Sequence, residues 1–256
     1  MTKTTTPIKT GWKTFDNNTN IKRGDLVVIS ATGSSGASTA AMTLARNATF
    51  NKQRVLFVSF ESTSSEFLQS WTSCITNIPL LDIRGSHIVE SQHALCRRLD
   101  SCCTSFSFIS GDAHLRIEKL MELTATQKPR DLIIIDRIED LQTQREFKSE
   151  TSRRGYLAKM LKRLAIKHNC VVATTTHLDD RTHEIISGKQ IGETADIVLS
   201  WHTSEENIMD GHVPVRVAKS RHSSSGFNFH LSTEFNIQQM NDVTSRILVT
   251  SNTEED

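Results

Sequence analysis

The chain is predicted to fold as an α/β domain, a mostly parallel sheet flanked by helices and extended by antiparallel strands at its C-terminal end. Three observations carry this. Short β-rich runs alternate with helical stretches as far as residue 176. The run 132–136, Leu-Ile-Ile-Ile-Asp, is too short for a helix and apolar on both faces, as a central parallel strand should be. Beyond Thr194 the helical stretches give way to strand-like runs with short connections.

Taken in order, residues 26–30 read as a strand, followed by a small-residue loop at 31–36 and a helix over 37–50. A second strand spans 55–60, and a helix begins near Ser64. The segment 78–103 is the least readable. Residues 105–109 form a third strand and 114–126 a helix; after strand 132–136 come a helix over 152–168 and a strand over 170–176. The β-rich end consists of 197–202, 213–220, 227–231 and 247–250. The expected organisation is an arm (1–10), one domain (11–250) and an acidic tail (251–256).

Composition bounds the function. The 256 residues carry 30 Lys and Arg against 29 Asp and Glu, a net charge of +1, which excludes a uniformly basic binder but not a local basic stripe. With 37% hydrophobic and 23% charged residues the chain can bury a core. No apolar stretch approaches the roughly 18 residues of a membrane span, and the polar N-terminus with its two lysines is no secretory signal. The five cysteines are odd in number and form no CxxC pair, so neither a disulfide framework nor a zinc site is implied.

The most informative motif lies between the first strand and the first helix. A phosphate-binding loop reads G-x-x-x-x-G-K-[ST], with inward amides, a lysine on the terminal phosphates and a hydroxyl on magnesium. Here the eight positions are Ala31, Thr32, Gly33, Ser34, Ser35, Gly36, Ala37 and Ser38. Gly36 and Ser38 match; Ala31 replaces the first glycine and Ala37 the lysine. Without that lysine the amides and helix dipole can still hold phosphate weakly, while phosphoryl transfer, which depends on electrostatic stabilisation, is expected to be severely impaired. Taken alone, the loop reads equally as a tight strand-to-helix turn.

Three polar groups strengthen the functional reading, each at the C-terminal end of an expected parallel strand, where open α/β sheets bind ligands. Asp136 can orient magnesium, Glu61 can act as a general base, and His177 can sense a terminal phosphate. Their bland alternatives are a strand-end turn acid, a helix-capping acid for 62–65 and a surface loop histidine.

In these residues the chain resembles the RecA-like motor domain of DnaB-type hexameric replicative helicases, in particular those of phage helicase-primases and mitochondrial Twinkle. The resemblance rests on Thr10-Gly11-Trp12 with Phe15-Asp16, the run 24–30, the loop, 57–61, 132–136, His177-Leu178, 195–198 and Lys219-Ser220-Arg221, and covers about residues 10–239. It implies that ATP or another NTP with Mg2+ is cradled by Thr32, Gly33, Ser34, Ser35, Gly36, Ala37, Ser38 and Thr39. It further implies that Glu61 is the catalytic carboxylate, that Ser38 and Asp136 serve the metal, and that His177 couples nucleotide state to DNA. Lys219 and Arg221 would reach a neighbouring subunit's nucleotide, the arginine-finger role. It implies 5′-to-3′ translocation as well, once lysine stands at 37. Only ten residues precede Gly11, so a ring is expected to form through the motor domain and a short arm.

The resemblance also implies a hexameric ring with single-stranded DNA in its channel, replication partners such as primase, polymerase and single-strand-binding protein, and no membrane. The expected location is cytoplasmic, in a bacterial host if the chain is phage-encoded. The segment 145–167 carries eight basic residues against two acidic ones. Arg145, Lys148, Arg153 and Arg154 are candidate contacts in one DNA loop, and Lys189 in a second, over 179–192. Such contacts would follow the backbone and be salt-sensitive; no Trp or Tyr lies in either loop to support base stacking. A solvated helix face is the bland alternative. Two other functions compete: a strand-exchange or regulatory protein of the RadA or KaiC kind, and a non-catalytic structural or regulatory subunit.

Overall fold

The structure, a computed structural model, describes residues 7–85, 105–111, 115–179, 181–182, 185, 189–204, 207, 210–223 and 225–243. Its strands are β1 (Leu26–Ala31), β2 (Val55–Ser59), β3 (Phe106–Ser110), β4 (Leu132–Asp136), β5 (Val171–His177), β6 (Ile197–Trp201), β7 (His212–Ser220), β8 (Asn228–Glu234) and β9 (Gln239–Asp242). Its helices are α1 (Lys13–Asn18), α2 (Ala37–Phe50), α3 (Ser64–Thr76), α4 (Leu80–Arg84), α5 (Ile117–Thr126), α6 (Glu150–His168) and α7 (Lys189–Thr194). All nine strands form one sheet in the order β3-β2-β4-β5-β1-β6-β7-β8-β9. Pairing is parallel from β3 to β6 and antiparallel from β6 to β9. The predicted α/β class and its antiparallel extension are both present.

Strand alternation distributes the core. Ile133 and Ile135 of β4 pack with Leu157, Leu161 and Leu164 of α6 on one face of the sheet. Leu132 and Ile134 pack with Ala41 and Leu44 of α2 on the other. Both faces are covered, which is why the central strands read as unbroken apolar runs. Helix α6 starts at Glu150, two residues earlier than expected, because the Ser149 side chain accepts from Ser152 N and caps it.

Three features depart from the expectation. Helix α1 is the first: six residues of modest propensity fold because Phe15 is buried against Trp12 and Phe229. The N-terminal segment belongs to the packed unit from Ile8 onward, since Ile8 is buried and bridges Ile21. Trp12 Nε1 donates to Met240 O at 2.9 Å and Thr14 N to Asp242 Oδ2 at 2.7 Å, so this segment clamps β9. Strand β9 is the third, because Gln-Met-Asn-Asp shows neither β-branching nor clean alternation. The expected strand 247–250, the tail 251–256 and most of the segment 78–103 lie outside the described residues.

An ion-pair network fixes the opposite end of the parallel sheet. Asp196, fully buried at the start of β6, accepts from Leu26 N and Lys162 Nζ and forms an ion pair with Arg221 Nε. His222 Nε2 contacts Asp25 Oδ1 alongside at 3.0 Å. Two carboxylates facing two cations are already balanced. Removing the buried acid should cost about 2 kcal/mol, less than a sealed pair would, because Lys162 and Arg221 can turn to water. Asp196→Ala is therefore expected to lower the urea midpoint without changing the slope; an unchanged midpoint would refute the network's structural role.

Candidate functional site

Register assembles the site. Ala31 pairs with His177 across β1 and β5, Ile135 with Thr174 across β4 and β5, and Ser59 with Asp136 across β2 and β4. The loop after β1, the segment after β2 and the ends of β4 and β5 therefore lie level, along the C-terminal edge of the sheet. A cavity of about 470 Å³ opens there, lined by Thr32, Gly33, Ser34, Ser35, Gly36, Ala37, Ser38, Thr39, Glu61, His177 and Phe235.

The loop is built tightly. Thr32 Oγ1 and Ser35 Oγ are 2.7 Å apart, and Trp201 Nε1 of β6 donates to Ser35 O at 2.8 Å. Gly36 caps α2 with φ +87°, and a Cβ there would lie 2.8 Å from Phe235 Cε1 and 2.9 Å from Met240 Sδ. Gly33 is unconstrained by space: a Cβ would meet nothing within 4 Å. Gly36→Ala is thus expected to destabilise the chain by about 1–2 kcal/mol through left-handed strain plus overlap, and Gly33→Ala far less; equal thermal shifts for the two would contradict this geometry.

Beneath the loop, Ser38 Oγ donates to Asp136 Oδ1 at 3.0 Å and Thr175 Oγ1 donates to the same oxygen at 2.6 Å. Burial pushes the Asp136 carboxyl up to about 6; the Thr175 hydrogen bond opposes this, and the negative charge of Glu61 adds to it. A buried carboxylate beside a helix-terminal hydroxyl is a donor pair suited to a hard divalent cation, whose charge would favour the ionised form. The cap of α3 is Thr63, in a reciprocal capping box with Glu66. Glu61 is therefore not the capping acid; it lines the cavity, with Oε1 on Arg137.

Two residues that sequence reasoning missed complete the site. Arg137, next after Asp136, places Nη1 2.9 Å from Glu61 Oε1 and Nε 2.8 Å from Asp140 Oδ2, and Nη1 also contacts His177 Nε2. Since guanidinium has no acceptor, His177 accepts there through Nε2. Phe235, in a 3-10 turn before β9, gives the cavity an aromatic wall and is 40% exposed. Arg137 could have been flagged by its place beside a strand-end acid; no periodicity marks Phe235.

The structure does not bring the finger candidates to this cavity. Lys219 Nζ donates to Gly192 O and Glu193 O at the end of α7, and Arg221 Nε pairs with Asp196 Oδ1 at 2.9 Å. Burial and the neighbouring Arg221 charge lower the Lys219 pKa. Both residues lie near the start of β1, about 16 Å of strand rise from the loop. Within one chain they do not reach the cavity.

The DNA candidates divide. Arg145 lies over the rings of Phe147 and Tyr156 at 5.4 and 5.5 Å, an exposed cation on an aromatic platform. Lys148 and Lys189 are exposed, and Arg154 Nε sits 3.7 Å from Glu150. Arg153 differs from the expectation: it donates to Leu141 O and Glu139 O, each at 2.7 Å, and pairs with Glu150. It ties the segment after β4 to α6. Lys162, bound to Asp196, is likewise spent inside the fold, so the basic run overstates its open charge. Among the described residues, no helix is long and apolar enough to cross a membrane.

Comparison with known proteins follows from this geometry. A family model described as "DnaB-like helicase C terminal domain" matches residues 7–240. A solved structure described as an "ATPase Domain" is similar with a TM-score of 0.82 at 18% identity, covering 92% of this chain and 91% of that one. A second, described as "The Structure Of A DnaB-Like Replicative Helicase And Its Interactions With Primase", has a TM-score of 0.81 at 18% identity, with 92% of this chain covered and 62% of that one. No curated protein matches.

Proposed function

The chain belongs to the DnaB-like helicase C-terminal domain family, and from that premise we propose that it is a replicative helicase motor subunit that binds nucleoside triphosphate at subunit interfaces and single-stranded DNA in a central channel. The carrying observation is the Ser38–Asp136 hydrogen bond beneath a glycine-serine loop, with Glu61 facing the same cavity. The loop amides and the N-terminus of α2 would hold the phosphates. Phe235 would lie against an apolar part of the ligand, the base being the natural choice.

Ser38 and Asp136 would hold Mg2+, which supplies charge neutralisation at the phosphates. Glu61 would orient and deprotonate water. With alanine at 37 the loop supplies no side-chain positive charge where negative charge grows, so hydrolysis by this chain is slow or absent. Lys219 and Arg221 act in trans, on the cavity of a neighbouring subunit in a hexameric ring; their place at the far sheet edge supports this. Arg145, Lys148, Arg154 and Lys189 track the DNA backbone. Primase, polymerase and single-strand-binding protein are the partner classes that suit such a motor.

Anisotropy of labelled oligo-dT at 50 and 200 mM salt, with and without Mg2+ and triphosphate, tests this reading. Binding should strengthen with nucleotide and fall steeply with salt. DNA binding that ignores both would overturn it. A second reading, a non-catalytic ring subunit, is favoured by Ala37 together with the ion pair that occupies Glu61.

A further inference from the structure

We propose that Arg137 reads the terminal phosphate of the bound nucleotide, supplying from the end of β4 the positive charge that position 37 lacks. The inference rests on the nucleotide-site reading above. No Lys or Arg lines the cavity among the described residues. Arg137 stands directly behind that lining, its Nη1 on Glu61 and His177, both of which do line it.

The guanidinium is oriented by three groups and still incompletely used. Nε is held by Asp140 and Nη1 by Glu61 and His177, whereas Nη2 makes no hydrogen bond among the described residues. The side chain is 27% exposed, so the guanidinium is not sealed from solvent. A fork anchored at Nε, with Nη2 open and Nη1 shared with a carboxylate that is 41% exposed, is arranged to take a phosphate bidentately.

A terminal phosphate on this side meets Arg137; a diphosphate, ending one phosphoryl group short, does not. Arg137 therefore sets a preference for triphosphate over diphosphate. Meeting the phosphate draws the guanidinium off Glu61, so recognition of triphosphate and release of that carboxylate are coupled.

Calorimetric titration of the full chain with Mg–ATP and Mg–ADP tests this. The unaltered chain should prefer ATP by about tenfold, the worth of one charge-assisted contact. Arg137→Gln should abolish the preference by weakening ATP alone, and Arg137→Lys should restore part of it. Glu61→Gln, by releasing the guanidinium, should tighten ATP several-fold, and this gain should vanish in the Glu61→Gln/Arg137→Gln double variant. An unchanged ATP-to-ADP ratio in Arg137→Gln, or equal loss of both nucleotides, would overturn the role of Arg137 and leave the site standing. Failure of the unaltered chain to bind either nucleotide would overturn the nucleotide site and this inference together.

Discussion

Replacing Ala37 with lysine is expected to raise single-stranded-DNA-stimulated triphosphate hydrolysis by at least a hundredfold. Ala37 is the first residue of α2 and lines the cavity, so a lysine there points its ammonium at the phosphates without displacing a packed side chain. The cavity, about 470 Å³, has the room. A cation in the first turn of a helix opposes the dipole, a cost of about 0.3–1 kcal/mol that bound phosphate reverses. One preorganised charge donor in a water-poor site is worth about 10²–10³ in rate, which dominates that cost. The rest of the expected machinery is present: Ser38 on Asp136, and Glu61 across the cavity.

The measurement compares both chains at matched low salt, with and without DNA. Hydrolysis by the lysine variant alone identifies a disabled motor whose remaining parts still work. Hydrolysis by neither favours the non-catalytic subunit, or a ring completed by a different chain, because Lys219 and Arg221 lie at the far end of the sheet, away from the cavity of their own chain.

Physical signals of different strength explain what could be read in advance. Strand β4 was legible because burial on both faces writes itself as consecutive Leu-Ile-Ile-Ile, and Asp136 because a lone acid ending such a run has no packing reason to be there. Strand β9 and helix α1 were not, since their order comes from contacts about 228 residues apart, Trp12 to Met240 and Thr14 to Asp242, which no local pattern encodes. Charge counting met the same limit. Arg153 and Arg145 look alike in sequence, yet one is bound to two carbonyls and Glu150 while the other lies exposed on two rings. Arg137 escaped notice because its significance is a three-way contact with Glu61, His177 and Asp140, from three separate segments.

Asp136→Asn should make the protein more stable at neutral pH while removing its response to magnesium nucleotide. The carboxyl is nearly sealed from solvent and held near 6 in the fold against an ordinary value of 3.8. Below pH 3.8 folded and unfolded chains both keep the proton, and the group costs nothing. As pH rises toward 6 the unfolded chain sheds it while the folded chain retains it, so stability falls. Above 6 the full cost applies, about 3 kcal/mol. Asparagine keeps an oxygen for the Ser38 and Thr175 donors and carries no charge to desolvate. The variant should therefore exceed the unaltered chain by about 2–3 kcal/mol at about pH 7 in urea unfolding, with the gain fading to nothing near pH 4. Adding Mg–ATP at neutral pH should then raise the melting temperature of the unaltered chain but not of the variant, because a ligand stabilises only the state that binds it and the anionic donor for the cation is gone. A variant less stable than the parent at neutral pH would show that Asp136 is comfortably ionised in the fold; a melting temperature that Mg–ATP raises equally in both chains would remove Asp136 from the cation site.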